Sequence, residues 1–130
     1  MIVIDSSALV AIALNELEAQ EFKKIISKNN CIIGYPTILE IQMVLSKTTG
    51  KISLDTLESF LITSKIKPIN FDEIAYKWSS FAFETYGKGR HKAGLNYGDC
   101  MAYAVAKTFN APLLFKGLDF IHTDIKQACL

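Results

Sequence analysis

The fold class is decided by the segment Ile2-Val-Ile-Asp-Ser-Ser-Ala-Leu-Val-Ala-Ile-Ala-Leu14. Its β-branched apolar start predicts a short strand over Ile2–Ile4 that ends at Asp5. Ser6 and Ser7 then offer N-caps to a helical run over 8–14. A strand that passes directly into a helix in this way is typical of α/β proteins.

The strand–helix alternation continues along the chain. Three further apolar runs predict strands at residues 31–33, 66–69 and 111–115. The intervening sequence predicts helices at residues 16–28, 36–47, 53–64, 72–83 and 99–109. Short apolar strands separated by helices predict the α/β class, with a central parallel sheet and helices on both faces. The strand order stays open.

Length and composition indicate one globular domain over residues 1–130, with 50% hydrophobic residues. Fourteen basic and thirteen acidic residues give a formal net charge of +1, so overall charge does not point to a nucleic-acid or membrane partner. We find no export signal and no membrane span. Cys31, Cys100 and Cys129 lack metal-binding spacing, and we expect reduced thiols in or near the core of a cytoplasmic protein.

Ligands of open parallel sheets bind beyond the carboxyl ends of the strands, and three acidic residues follow predicted strands, with a fourth at the start of a helix. Asp5 follows the first predicted strand directly, and Asp119 follows the last. Glu40 lies one turn into the helix after the second strand, and Asp99 begins a helix. These four residues are therefore the candidate site.

Each acid also has an ordinary structural explanation. Asp5 could cap the first helix, Glu40 could face solvent, and Asp99 could form a capping box with Asn96. Loop aspartates usually make turns, and Asp124 in the same segment competes with Asp119 for the fourth position.

Clustered carboxylates repel one another unless a cation holds them together. Hard oxygen ligands favour Mg²⁺ or Mn²⁺ over zinc, and such a metal can activate water and stabilise a phosphodiester oxyanion. From the residues alone, the sequence predicts metal-dependent phosphoryl transfer or hydrolysis.

Four stretches of the chain resemble, in order, the acidic motifs of the PIN-domain family and of its VapC-type toxins. They are Ile2-Val-Ile-Asp-Ser-Ser-Ala-Leu-Val10, Pro36-Thr-Ile-Leu-Glu40, Leu95-Asn-Tyr-Gly-Asp-Cys-Met-Ala-Tyr-Ala104 and Leu113-Leu-Phe-Lys-Gly-Leu-Asp-Phe120. Together they span nearly the whole chain, and the first and third are the most specific.

The resemblance implies a Rossmann-like PIN fold and a toxin ribonuclease that hydrolyses RNA with Mg²⁺ or Mn²⁺. It implies that Asp5, Glu40, Asp99 and Asp119 are the catalytic and metal-binding acids. It also implies a cognate VapB-type antitoxin and a homodimer. The sequence departs from close relatives at Leu118, where a second acid often stands, which leaves the number of metals open.

A glycine-containing basic loop, Lys88-Gly-Arg-His-Lys92, is a candidate RNA contact through Lys88, Arg90, His91 and Lys92. A solvated charged loop is the simpler interpretation. We interpret His91 as a surface histidine rather than a general acid, because no partner is apparent.

Other families that begin with a strand and an aspartate fit less well. A dehalogenase-type phosphatase needs a second aspartate where Ser7 stands, and a response-regulator receiver needs an aspartate near Ile33–Tyr35. The remaining alternative is a PIN-like module that binds RNA or protein without cleaving. The RNA target cannot be read from the sequence.

Overall fold

The computed structural model describes all residues from Met1 to Leu130 and confirms the α/β class. Its four strands form one parallel sheet in the order β3-β2-β1-β4. The strands are β1 (Ile2–Ile4), β2 (Cys31–Gly34), β3 (Ile66–Ile69) and β4 (Leu113–Leu114). The sheet order, which the sequence left open, places β1 between β2 and β4.

Six helices connect and cover the strands. They are α1 (Ser6–Ala13), α2 (Ala19–Ser27), α3 (Tyr35–Thr49), α4 (Leu54–Thr63), α5 (Glu73–Tyr86) and α6 (Tyr97–Phe109), and a 3₁₀ turn follows at Phe120–His122. None of the helices combines the length and apolar composition needed to span a bilayer.

Three helix starts differ from the sequence prediction by two residues or more, and one of them is α6, which begins at Tyr97 rather than at residue 99. The first helix begins at Ser6 and is capped by Asp5, so the expectation that Ser6 or Ser7 caps it is wrong. The second begins at Ala19 rather than at residue 16: Asn15, in a left-handed conformation (φ 51°), separates the two helices, and residues 17–18 form a turn.

The core consists of two apolar layers on opposite faces of the sheet. Ile4 and Ile33 point into the layer formed with α1 to α4, and Val3 and Ile32 point into the layer formed with α5 and α6. This division follows from the two-residue side-chain period of a strand. It confirms that helices cover both faces.

The strand order creates a crevice beside β1. From β1 the chain moves outward to β2 and β3, and it then returns to place β4 on the other side of β1. Ligands of open α/β sheets bind beyond the carboxyl ends of the strands at such a reversal. The backbone N–H of Asp5 donates to the carbonyl of Leu114 across this junction (3.0 Å).

The three cysteines are free thiols. Cys31 and Cys100 are buried, as expected from the sequence. Cys129 is exposed near the C-terminus, so the expectation of a core or near-core position is wrong for that residue.

Candidate active site

Asp5 lies at the bottom of the crevice, with only 3% of the residue exposed. Its Oδ2 accepts hydrogen bonds from the backbone N–H (3.1 Å) and the hydroxyl (2.5 Å) of Ser7, whereas its Oδ1 is buried and has no partner. Burial raises the pKa of Asp5 to about 6; the Ser7 hydrogen bonds oppose this shift, and the charge of Glu40 adds to it. Helix capping therefore accounts for only one carboxylate oxygen.

Ser7 joins two sides of the crevice. Its hydroxyl donates to Asp5 and accepts a hydrogen bond from the backbone N–H of Lys116 (2.9 Å). The carboxylate of Asp5 is thereby held against the segment that carries Asp119. The sequence did not predict this bridging role of Ser7, and its position two residues after a strand-ending aspartate was the available signal.

Asp99 lies in the first turn of α6 and forms the capping box predicted from the sequence. Its N–H donates to Oδ1 of Asn96 (2.8 Å), and its Oδ2 accepts from the N–H of Asn96 (3.1 Å). Burial raises the pKa of Asp99; the Asn96 hydrogen bond opposes this, and the charges of Asp5 and Asp119 add to it. Asp99 is therefore near enough to Asp5 and Asp119 for their charges to act on it, and the capping box uses only its Oδ2.

Glu40 reaches the site from α3. Its Oε1 is buried without a hydrogen-bond partner, and its charge contributes to the raised pKa of Asp5. The carboxylate packs directly over Gly98 in the first turn of α6. The structure thus brings Glu40 to the same edge of the sheet as Asp5.

Asp119 and Asp124 lie near different ends of α6. Asp119 is exposed in the turn after β4 and acts on the pKa of Asp99. Asp124 accepts hydrogen bonds from the hydroxyl of Tyr103 (2.9 Å) and the ammonium group of Lys107 (2.8 Å). Because Lys107 is eight residues beyond Asp99, about 12 Å separates these levels of α6.

We call Asp5, Glu40, Asp99 and Asp119 the acidic edge. None of these four residues forms a salt bridge. Lys116 begins the segment that carries Asp119, but its ammonium group binds Glu16 (3.0 Å) and Glu18 (3.6 Å). No basic side chain of the protein is therefore paired with the carboxylates of the acidic edge.

The acids of the acidic edge do not form a preorganised metal-binding site. No group of three or more aspartate, glutamate, histidine or cysteine side chains already stands close enough to enclose one ion. Asp5 is held by Ser7 and Asp99 by Asn96, whereas Asp119 is exposed and follows Gly117, whose φ is 109°. Closing around an ion would thus require movement of the less constrained acids.

The basic loop follows α5 and is anchored beside the start of α6. The backbone N–H of Lys88 donates to the carbonyl of Leu95 (3.0 Å), next to the cap of α6. Lys88 and Lys92 are exposed and form no ion pairs. Their positive charges are therefore available near the acidic edge.

Arg90 and His91 are more constrained than the two lysines. The guanidinium group of Arg90 lies 4.5 Å from the centre of the Phe83 ring. Nδ1 of His91 accepts a hydrogen bond from the N–H of Ala93 (3.0 Å), and its ring packs edge-on against Tyr86. RNA contact by this loop stays a prediction.

Comparison with known proteins links this arrangement to a family. The family model described as PIN domain matches residues 2–126. Ribonuclease VapC30 of Mycobacterium tuberculosis is 38% identical over 129 residues, which cover 98% of each chain. Ribonuclease VapC of Mycolicibacterium smegmatis is 37% identical over 124 residues, which cover 95% of this chain and 96% of the relative.

Solved structures share the fold at low sequence identity. Mycobacterium tuberculosis VapC20, a toxin that cleaves the sarcin–ricin loop, superposes with a TM-score of 0.79 over 100% of both chains, at 10% identity. VapBC2 from Rickettsia felis, bound to a DNA fragment from its promoter, gives a TM-score of 0.72 at 16% identity and covers 98% of this chain and 97% of that one. The order and arrangement of helices and strands in this chain therefore match those structures over nearly the whole chain.

Proposed function

The chain belongs to the PIN-domain family, and we propose that it is a VapC-type toxin ribonuclease that hydrolyses RNA phosphodiester bonds with Mg²⁺ or Mn²⁺. The observation that carries this proposal is the acidic edge, where four carboxylates lie at one edge of the sheet and none forms a salt bridge with a basic side chain. The identity to VapC ribonucleases over nearly the full chain supports the same activity.

The donor atoms of the acidic edge fit a hard divalent cation. Oδ1 of Asp5 and Oε1 of Glu40 are buried without hydrogen bonds, and each such atom costs roughly 1–3 kcal/mol unless something compensates it. With Asp99 and Asp119 they form an all-oxygen ligand set, which favours Mg²⁺ or Mn²⁺. When bound, the cation supplies positive charge to the phosphodiester oxygens and strengthens water as a nucleophile.

The protein's own contribution is to hold the acids in place. Asp5 is fixed by Ser7 at the end of a central strand, and Asp99 is fixed by Asn96 at the start of α6. Carboxylates that are held before the substrate arrives need little reorganisation during the reaction. We propose that Asp5, Glu40, Asp99 and Asp119 are the catalytic, metal-binding residues.

We further propose that the chain binds RNA and a VapB-type antitoxin. We also propose that it acts as a homodimer in the cytoplasm.

A groove of about 470 Å³ between α3 and α6 is lined in part by Gly98 and by Glu40 of the acidic edge. Its apolar lining consists of Pro36, Leu39, Met43, Val44 and Met101, with Tyr97 at its rim. An amphipathic antitoxin helix suits this groove, and an arginine beside it could neutralise the carboxylates through paired hydrogen bonds.

The ribonuclease proposal is tested by incubating purified protein with RNA in EDTA and then adding Mg²⁺ or Mn²⁺ back. We expect cleavage only after the addition, because the acidic edge repels phosphate without a cation. Asp5→Asn protein, purified identically, controls for contaminating nucleases. Cleavage that continues unchanged in EDTA would contradict the metal requirement, and RNA binding without cleavage under any condition would favour the non-cleaving alternative.

The toxin proposal is tested in cells. Expression of the chain alone should stop growth, and co-expression of a small protein encoded next to it should restore growth and yield a stable complex. Substituting Met43 with aspartate in the groove should weaken that complex while leaving RNA cleavage unaffected. Normal growth on expression, together with no binding by a neighbouring gene product, would disprove the toxin role but leave the nuclease role standing.

A further inference from the structure

Gly98 is a glycine that its own backbone does not require. It is the second residue of α6, and its φ is not in the left-handed region, unlike that of Gly50, Gly89 or Gly117. Alanine is more favourable than glycine in such a helical conformation. The reason for a glycine at this position must therefore lie in what surrounds it.

The carboxylate of Glu40 occupies the space where a side chain at residue 98 would lie. A Cβ atom at residue 98 would lie 2.5 Å from Cδ and 2.7 Å from Oε1 of Glu40, and it would overlap Oε2. Real Cβ atoms do not approach other heavy atoms this closely. At the positive-φ positions Gly50, Gly89 and Gly117, by contrast, a Cβ would meet nothing within 4 Å.

A Cβ atom at residue 98 would displace the carboxylate of Glu40, which is the far end of a flexible side chain. Its Oε1 is buried, and its charge acts on Asp5 from this position. Glu40 also lines the groove between α3 and α6, which offers its carboxylate open space. A side chain at residue 98 would therefore force Glu40 toward solvent.

We propose that Gly98 is a positioning residue whose missing side chain lets Glu40 cross from α3 to the acidic edge. In this role Gly98 contacts neither the cation nor the RNA. It determines whether three or four carboxylates can serve as ligands. The proposal rests on the proposed function, because it assigns Glu40 to the cation-binding set.

The test is a double-mutant cycle of Gly98→Ala and Glu40→Ala, read by Mn²⁺ affinity in calorimetry and by thermal unfolding without metal. We expect Gly98→Ala alone to weaken Mn²⁺ binding by about 10-fold or more, as loss of a group that orients a ligand does. In the Glu40→Ala background the same substitution should cause no further loss. There it should also raise the melting temperature, because the clash is gone and the helix gains an alanine.

Three outcomes would overturn the inference. The first is unchanged Mn²⁺ affinity in Gly98→Ala. The second is an equal loss of affinity in both backgrounds, which would mean that the substitution acts by moving α6 and Asp99. The third is an identical change in melting temperature in both backgrounds.

The proposed function and this inference fail separately. If the wild-type chain binds no Mn²⁺, the metal-dependent nuclease proposal fails, and the unfolding cycle still shows whether Gly98 makes room for Glu40. If the wild-type chain binds Mn²⁺ and the two substitutions act independently in both measurements, only the role of Gly98 is disproved.

Discussion

The two ends of α6 hold carboxylates in opposite ways. At its N-terminal end, Asp99 meets Asp5 and Asp119 without any salt bridge. Toward its C-terminal end, the Asp124 cluster, formed by Tyr103, Lys107 and Asp124, is a closed set of hydrogen bonds with a 2.8 Å ion pair. One helix thus adjoins both a group of carboxylates without a basic partner and a carboxylate paired with a lysine.

The titration behaviour of the two sites follows from their partners. Burial raises the pKa of Asp99, and neighbouring carboxylates add to the effect. Burial also acts to raise the pKa of Asp124, but the hydrogen bonds of Lys107 and Tyr103 and the charge of Lys107 outweigh it, so the pKa is lowered. Residue type therefore does not distinguish a structural aspartate from a candidate ligand, whereas the charge that surrounds it does.

The largest effect on the cleavage rate is expected from Asp99→Asn, which removes a carboxylate from the acidic edge at the N-terminal end of α6. Cleavage should fall on the order of 100-fold or more, as it does when one electrostatic group is removed from an active site. The amide oxygen can still accept the capping hydrogen bond and the like-charge repulsion is relieved, so the melting temperature should not fall. Initial rates with Mg²⁺ or Mn²⁺ and a thermal unfolding curve measure both, and a variant that cleaves at the wild-type rate would refute the site assignment.

A matched pair of substitutions, Asp119→Asn and Asp124→Asn, should give crossed results. Asp119→Asn should impair cleavage without loss of stability, because this exposed side chain adjoins Asp99 and forms no salt bridge. Asp124→Asn should leave cleavage nearly unchanged and lower the free energy of unfolding by about 1 kcal/mol, a value reduced for partial solvent exposure of the ion pair. Cleavage assays and urea denaturation measure the two effects. If Asp124→Asn impaired cleavage more than Asp119→Asn, Asp124 would replace Asp119 as the fourth metal-binding acid.

The stabilisation by Asp124 should also depend on pH in a defined direction. Because folding lowers the pKa of this carboxyl below 3.8, its contribution is fully present above that value and is lost as the pH falls through the lower pKa of the folded state. The difference in unfolding free energy between the wild type and Asp124→Asn should therefore shrink in acid. A difference that grows as the pH falls would contradict the compensated state of this cluster.

The smallest effect is expected in the basic loop, where the double variant Lys88→Gln/Lys92→Gln removes two exposed charges. RNA binding should weaken, and the slope of log affinity against log salt should fall by about 0.7 for each phosphate that a lysine no longer neutralises. Arg90→Gln is a useful comparison, because its side chain already packs on Phe83 and its removal should also affect stability. An unchanged salt slope in the lysine variant would show that the loop is only a solvated surface.

Local sequence patterns were sufficient for much of the secondary structure. The bounds of β1 and β3 and the capping box of α6 agree with the prediction, because apolar periodicity and side-chain caps act within a few residues. The start of α2 was less predictable, since nothing in the helical pattern at residues 16–18 indicates the left-handed Asn15 before it. Asp5 was recognised as a possible cap, but the two adjacent serines offered the same function, so the sequence did not decide among the three residues.

By itself, the sequence indicated the α/β class, four candidate acids after strands or at the start of a helix, and the motifs of the PIN family. Only the tertiary structure decided that β1 lies between β2 and β4, that Asp119 adjoins Asp99 while Asp124 does not, and that Glu40 occupies the space left by Gly98. The bond from Lys116 to Ser7 joins residues 109 positions apart, beyond the range of any local pattern. Burial and charge compensation depend on which distant elements pack together, so they emerge only when the chain is folded.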